Sequence, residues 1–155
     1  MKTGNGKILA AGIVPYCPST NRFLLVRRGL EQPEPNTWAF LGGKFEEDED
    51  KGPRDNAKRE FAEESGYNKK YLLRKRPLFV NKDNFLVYYN FLGLFDEEFV
   101  PIVGEGEAQD YGWFTLEEFS DKNIHPGIKE MLDDSNFSKA IENSKRYYNV
   151  RKRSK

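Results

Sequence analysis

The chain has 155 residues, and its 25 Lys and Arg balance its 25 Asp and Glu, at a length where one compact domain is the default. A mean hydropathy of −0.80 would suit a disordered chain, but 12 Phe, 8 Tyr and 2 Trp are far more large rings than a coreless chain carries. A single cysteine, Cys17, and a single histidine, His125, exclude an intrachain disulfide and a Cys/His zinc site and fit a reducing, cytoplasmic compartment.

The longest apolar run, Ile8 to Val14, is too short to span a membrane and is followed by Pro15 without a cleavage site. It reads as part of a buried strand from Lys7 to Cys17. Pro18 to Asn21 is a turn, and Arg22 to Arg28 returns as the second strand of a hairpin. A proline-bearing loop leads to Trp38-Ala39-Phe40, a short strand ending at Gly42-Gly43. After the acids Glu46 to Asp50, Pro53 is placed to open a helix that runs to Ser65 and stops at Gly66. Ala57 and Phe61 share its core stripe, whereas Glu60, Glu63 and Glu64 line a neighbouring face. Tyr71 to Val80 and Asn84 to Phe95 read as strands of a hairpin turning at Asn81 to Asp83. Gln109 to Thr115 is a further strand and Leu116 to Phe119 a helical turn. Helices follow at Pro126 to Asp133 and from Phe137 toward Tyr148.

Glutamates at i, i+3 and i+4 gather like charge within about 6 Å, a repulsion of a few tenths of a kcal/mol per pair. Arg59, four residues before Glu63, screens part of it. From charge pattern alone these acids and the run at 46–50 read as a solvated face. Carboxylates without His or thiolate also suit a hard cation such as Mg2+ or Mn2+, and Gly42-Gly43 lets backbone approach an ion or a phosphate. The alternating acids of an EF-hand loop are missing.

Gly43, Glu49 and the unbroken stretch Arg59-Glu60-Phe61-Ala62-Glu63-Glu64-Ser65-Gly66-Tyr67 resemble the box of the Nudix hydrolase family, G-x5-E-x7-R-E-U-x-E-E-x-G-U. Trp38 to Lys44 is similar to the strand that leads into that box, and Trp113-Phe114-Thr115-Leu116-Glu117-Glu118-Phe119 to the family's W-F-T-L-E-E-L segment. There are two departures: nine residues rather than seven separate Glu49 from Arg59, with the extra pair placed at Lys51-Gly52, and Leu41 stands where a proline is common. Most of residues 7 to 133 can be read onto the family fold. The resemblance implies an α/β/α sandwich with a mixed sheet, an α+β domain over residues 1–144 with a basic tail at 145–155.

The resemblance further implies metal-dependent hydrolysis of a nucleoside diphosphate linked to another group, by water attack at phosphorus, with Mg2+ or Mn2+ as cofactor. Glu60, Glu63 and Glu64 with the Gly43 carbonyl would be the metal ligands, and Arg59 would orient the glutamates. Glu107, or its neighbour Glu105, would be the general base. Arg27 and Arg28 could meet phosphates, and Trp38, Phe85 or Tyr88 could stack on a base, although each such ring is more often a core residue. His125 reads as a cap or packing residue of the helix after it, and Cys17 as a small buried hydrophobe. The alternative is a noncatalytic Nudix-like module that binds a nucleotide or an RNA end.

From Lys145 to Lys155 there are six basic residues and no acid, which leaves 19 basic against 25 acidic residues in the rest. The plainer reading of this tail is a frayed, solvated end; the other is contact with nucleic acid. The surplus of rings also leaves room for a homodimer face.

Overall fold

The computed structural model describes residues 6–104 and 106–153. Strand β1 (Ile8–Cys17) lies at the centre. It runs antiparallel to β2 (Arg22–Arg28) and to β4 (Leu41–Lys44), and parallel to β7 (Leu86–Leu94) from Ile8 opposite Leu86 to Tyr16 opposite Leu94. Burial on both faces explains the near-continuous apolar run. Strand β3 (Trp38–Ala39) and strand β8 (Ala108–Phe114) flank β2, and β5 (Leu72–Leu73) and β6 (Phe79–Lys82) both pair with β7, giving a mixed sheet.

Ala11, Ile13, Val26 and Phe91 point to one side of the sheet, where helix α1 (Pro53–Ser65) adds Ala57 and Phe61. Val14, Tyr16, Phe23, Leu25 and Leu92 point to the other side. There they meet Ile128 and Met131 of α2 (Pro126–Leu132) and Phe137, Ile141 and Tyr148 of α3 (Phe137–Arg153). The result is the three-layered α+β arrangement that the box resemblance implied. Helix α1 starts with Pro53 in its first turn and ends at Gly66, whose φ of 70° is the left-handed conformation favouring glycine.

Three elements differ from the sequence reading. The strand from Trp38 changes partners at Phe40, so β3 pairs with β2 and β4 with β1. The strand expected over Tyr71 to Val80 is broken: Leu73 stands opposite Gly93 and Phe79 opposite Asn90, so residues 74–78 span only two positions of β7. Arg74 N–H donates to Leu92 O and Leu78 N–H to Asn90 O, and Lys75-Arg76-Pro77 loop outward between them. Pro77 has no N–H to give a ladder, which suits it to the loop. The basic segment after residue 144 continues α3 as far as Arg153, with Tyr148 buried against the sheet. No helix among the described residues is long and apolar enough to cross a membrane.

Gly12 and Gly42 face each other across β1 and β4, and the Tyr88 hydroxyl fills the space above them. A Cβ on Gly42 would lie 1.8 Å from that hydroxyl and 2.7 Å from the Ala11 carbonyl oxygen. Gly42→Ala is therefore expected to cost about 1–3 kcal/mol by overpacking. Adding Tyr88→Phe should restore only part of it, because the backbone carbonyl remains; urea unfolding of the single and double variants checks this, and full rescue would locate the clash in Tyr88 alone.

Candidate active site

Four segments meet over the C-terminal half of α1: β4, the acidic loop after it, the end of β2 and the segment before β8. The acidic loop closes on itself, since Asp50 N–H donates to Glu46 O and Glu46 N–H to Asp50 Oδ2 at 2.9 Å. This turn points Asp50 inward, and its side chain is 1% exposed. Arg59 grips it in a fork, Nε to Oδ1 and Nη2 to Oδ2, both at 2.8 Å. The hydrogen bond to Arg59 is the largest of the effects that hold the Asp50 carboxyl below its usual range, ahead of opposing burial.

The rest of the Arg59 guanidinium serves the box acids. Nη1 donates to Glu60 Oε1 and to Glu63 Oε2, each at 3.1 Å, and Nη2 also donates to Lys44 O at 3.0 Å. Glu60 lies against Gly43, where a Cβ would come within 2.5 Å of its carboxyl carbon. The Gly43 carbonyl accepts from the buried amide of Asn56 at 3.2 Å, and a carbonyl oxygen has a second lone pair to offer.

Glu64 is half-buried one turn beyond Glu60. Burial first, then the hydrogen bond and charge of Glu60 and the charge of Glu107, hold its carboxyl well above the usual range, with Arg28 opposing. Two like carboxylates this close keep a proton between them unless a cation replaces it. Arg28, Gln32, Phe40, Gly42, Glu64 and Glu107 are among the walls of a cavity of about 130 Å³. Glu107 O accepts from Gly29 N–H, which ties the segment before β8 to the end of β2.

Arg28 and Phe40 also border a second cavity of about 310 Å³, walled by Glu34, Asn81, Tyr88, Asn90 and His125 among others. This is an ordinary size for a small-molecule pocket. Asn90 Nδ2 donates to Asn81 Oδ1 at 2.8 Å, and Asn81 Nδ2 to Gly127 O at the start of α2. The Tyr88 hydroxyl is raised above its usual pKa by burial and by the charges of Glu64 and Glu60, which places it beside the acidic pair.

The NUDIX domain family model matches residues 6–135. The chain belongs to the Nudix family. Solved structures of the same fold include the Nudix hydrolase RenU from M. smegmatis, 18% identical over 90% of this chain and 86% of that one with a TM-score of 0.68. An Ap4A hydrolase from C. elegans in a binary complex is 20% identical over 86% of this chain and 98% of that one, TM-score 0.69. The NUDIX domain of NrtR from Shewanella oneidensis, complexed with ADP ribose, is 18% identical over 81% and 86%, TM-score 0.64. No curated protein matches the sequence.

Within this Nudix fold the structure brings Gly43, Arg59, Glu60, Glu63, Glu64, Glu107 and Arg28 together. Glu49, counted into the box by its distance from Gly43, is exposed and stands 3.8 Å from Arg59 Nε. Asp50 has the inward position. The two extra residues are thus shared, one falling between Gly43 and the inward acid and one between that acid and Arg59, instead of both at Lys51-Gly52. Arg27 lines neither cavity, and its buried Nε has no hydrogen-bond partner among the described residues. Trp38 packs edge-on against Phe114 under Lys122 and lines neither cavity. Phe85 is exposed at a turn, whereas Tyr88 borders the larger cavity. His125 caps α2, its Nδ1 accepting from Gly127 N–H at 2.9 Å, and also borders the larger cavity. Cys17 is buried. Glu105 lies outside the described residues. Asn81, Asn90 and Asp50 were missed; a lone Asn in the apolar run of β7 was the one sequence signal for Asn90.

Because the Asp50 carboxyl is depressed in the folded protein, its pairing with Arg59 stabilises fully above the ordinary value of 3.8 and is lost as pH falls through the depressed one. Asp50→Asn should cost about 3 kcal/mol at pH 7, as for one partner removed from a buried pair. The gap between native and variant in urea unfolding should narrow below pH 3.8; a gap independent of pH would remove the ion pair as its source.

Proposed function

We propose that the protein hydrolyses the pyrophosphate link of a nucleoside diphosphate joined to a second group, and that the site over α1 carries the reaction. Family membership supports nucleotide pyrophosphohydrolase activity in general. The observation that carries the assignment to this site is the Glu60–Glu64 pair, held together against its repulsion and facing Glu107 and Arg28 across a cavity.

The donor set fits a hard divalent cation. Among the described residues no three acidic, histidine or cysteine side chains form a ready cage, but a Mg2+ ion completed by substrate phosphates needs only one or two carboxylates. Glu60 and Glu64 supply these, with the Gly43 carbonyl as a further oxygen and Glu63 beside them. Bound there, Mg2+ or Mn2+ would neutralise phosphate oxygens and lower the pKa of a water. Arg59 holds Glu60 and Glu63 in place. Glu107 is the base: as the water oxygen bonds to phosphorus and the bridging P–O bond breaks, its carboxylate takes the water proton. Arg28 offers the positive charge that meets the phosphates, and the cavity from Phe40 to His125 takes the attached nucleoside.

Ap4A and ADP-ribose head the substrates to test, followed by nucleoside triphosphates, nucleotide sugars, dinucleotide cofactors and capped RNA, with products separated by chromatography and weighed by mass spectrometry. Glu64→Gln should lower kcat by at least about 10²-fold, as a lost metal ligand, while Tm in EDTA at pH 7 does not fall, because the change removes the cost of taking up a proton on a buried carboxyl beside Glu60. Retention of most activity would take Glu64 out of the site. If no substrate is cleaved by the native protein but one still binds, the chain is a binding module instead.

Glu107→Gln should lower kcat by at least about 10²-fold while KM changes little, as for loss of a general base. An unchanged kcat would pass the role of base to another carboxylate.

A further inference from the structure

On the flank of α1 away from the acids, two grooves of about 640 and 620 Å³ run together between α1, β5 and α3, sharing Arg54, Leu72, Leu73 and Arg151 as walls. Their charge is one-sided. Helix α1 contributes Arg54 and Lys58, and the link to β5 contributes Lys69 and Lys70. The residues looped out after β5 contribute Arg74, Lys75 and Arg76, and α3 contributes Arg151 and Lys152. Among the described residues the one acid in these walls is Asp96, which pairs with Lys152 at 3.7 Å.

The looped-out segment is anchored, not loose. Arg54 donates through Nη2 to Leu73 O and through Nε to Arg74 O, and the Arg74 guanidinium stacks 4.2 Å over the ring of Tyr147 on α3. Tyr147 is 39% exposed in the groove wall. The wall on α3 runs from Ala140 to Arg151, about 17 Å at 1.5 Å per residue.

We infer that this paired groove binds a single-stranded polynucleotide. A cation row in a concavity follows a phosphate backbone, and a half-exposed ring with stacked guanidinium is a platform for an unstacked base. An anionic bilayer is a plane that a concave row does not follow, and a rigid duplex offers its bases no access to Tyr147. The surface lies apart from the cavities assigned to hydrolysis, so the inference stands whether or not that assignment does.

The test is fluorescence anisotropy of a labelled 12-nucleotide RNA with the full chain, in EDTA so that hydrolysis plays no part. Affinity should fall about 300-fold between 50 and 200 mM salt if six phosphates are neutralised, at a slope of about −0.7 per phosphate. The exposed triple variant Lys58→Ala, Lys70→Ala, Lys75→Ala should bind at least about tenfold more weakly and lose about 2 from that slope. Its hydrolysis of small substrates should match the native protein, and circular dichroism checks its fold. A control with the same loss of charge, Lys129→Ala, Lys139→Ala, Arg146→Ala, outside both grooves, should bind RNA as the native protein does. Equal weakening of both variants would overturn the inference in favour of net charge. So would no binding at 50 mM salt, or tighter binding to a poly-glutamate peptide, to the duplex of the same sequence or to vesicles rich in anionic lipid.

Discussion

The guanidinium of Arg59 joins three pieces of chain into one site. It reaches back to the Lys44 carbonyl at the end of β4, across to Asp50 in the acidic loop, and along its own helix to Glu60 and Glu63. Five donors in a fixed plane can satisfy these partners at once; an ammonium on a flexible stem could not. With 16% of its side chain exposed, Arg59 has little water to screen it, and its charge acts on the acids around it at short range. Without that charge, α1 would carry three glutamates facing an acidic loop, and their repulsion would oppose the approach that makes the site. The like-charge cluster on α1 is thus stable because one cation is committed to it.

Room matters as much as charge. Glu60 can lie on the sheet because residue 43 has no side chain, and Tyr88 can bring its hydroxyl to the acidic pair because residues 12 and 42 have none. These glycines are not at turns and need no left-handed φ. They are gaps in the sheet surface, filled by groups from β7 and α1, and they fix how closely carboxylate and hydroxyl oxygens can gather.

What the sequence disclosed was local. Helix α1, its opening proline, its closing Gly66 and its Ala57/Phe61 stripe depend on neighbours within a few residues, and the periodicity contains them. The grouping of Glu60, Glu63 and Glu64 follows from the same period. Asp50 was not legible because five acids in a row share one composition, and which of them turns inward depends on how the loop closes on Glu46. Arg27 and Arg28 are chemically alike, yet only Arg28 borders the cavities, because successive side chains of a strand face opposite sides and Arg28 shares the α1 side with Val26, a side the sequence does not name. Trp38 turned out to pack on Phe114, and Asn81 to meet Asn90 and Gly127, through pairings between segments far apart in sequence. The outward loop at Lys75 to Pro77 had a local sign in Pro77, but its size depends on where β5 and β6 each find β7.

A net charge of zero describes none of the surfaces this chain presents. Helix α1 carries the acids on one flank and Arg54 and Lys58 on the other, with Ala57 and Phe61 buried against the sheet. The basic residues of α3 extend the second flank, since the segment continues as helix to Arg153 and its Tyr148 anchors it in the core. An anion approaching this molecule meets repulsion over Glu60, Glu64 and Glu107, where Arg28 is the one cation among the described residues lining the small cavity, and attraction on the far side of the same helix. One rigid helix thus keeps two poles apart: under the proposed function phosphate could meet the acidic one only with a cation brought in, whereas the basic one has its cations built in.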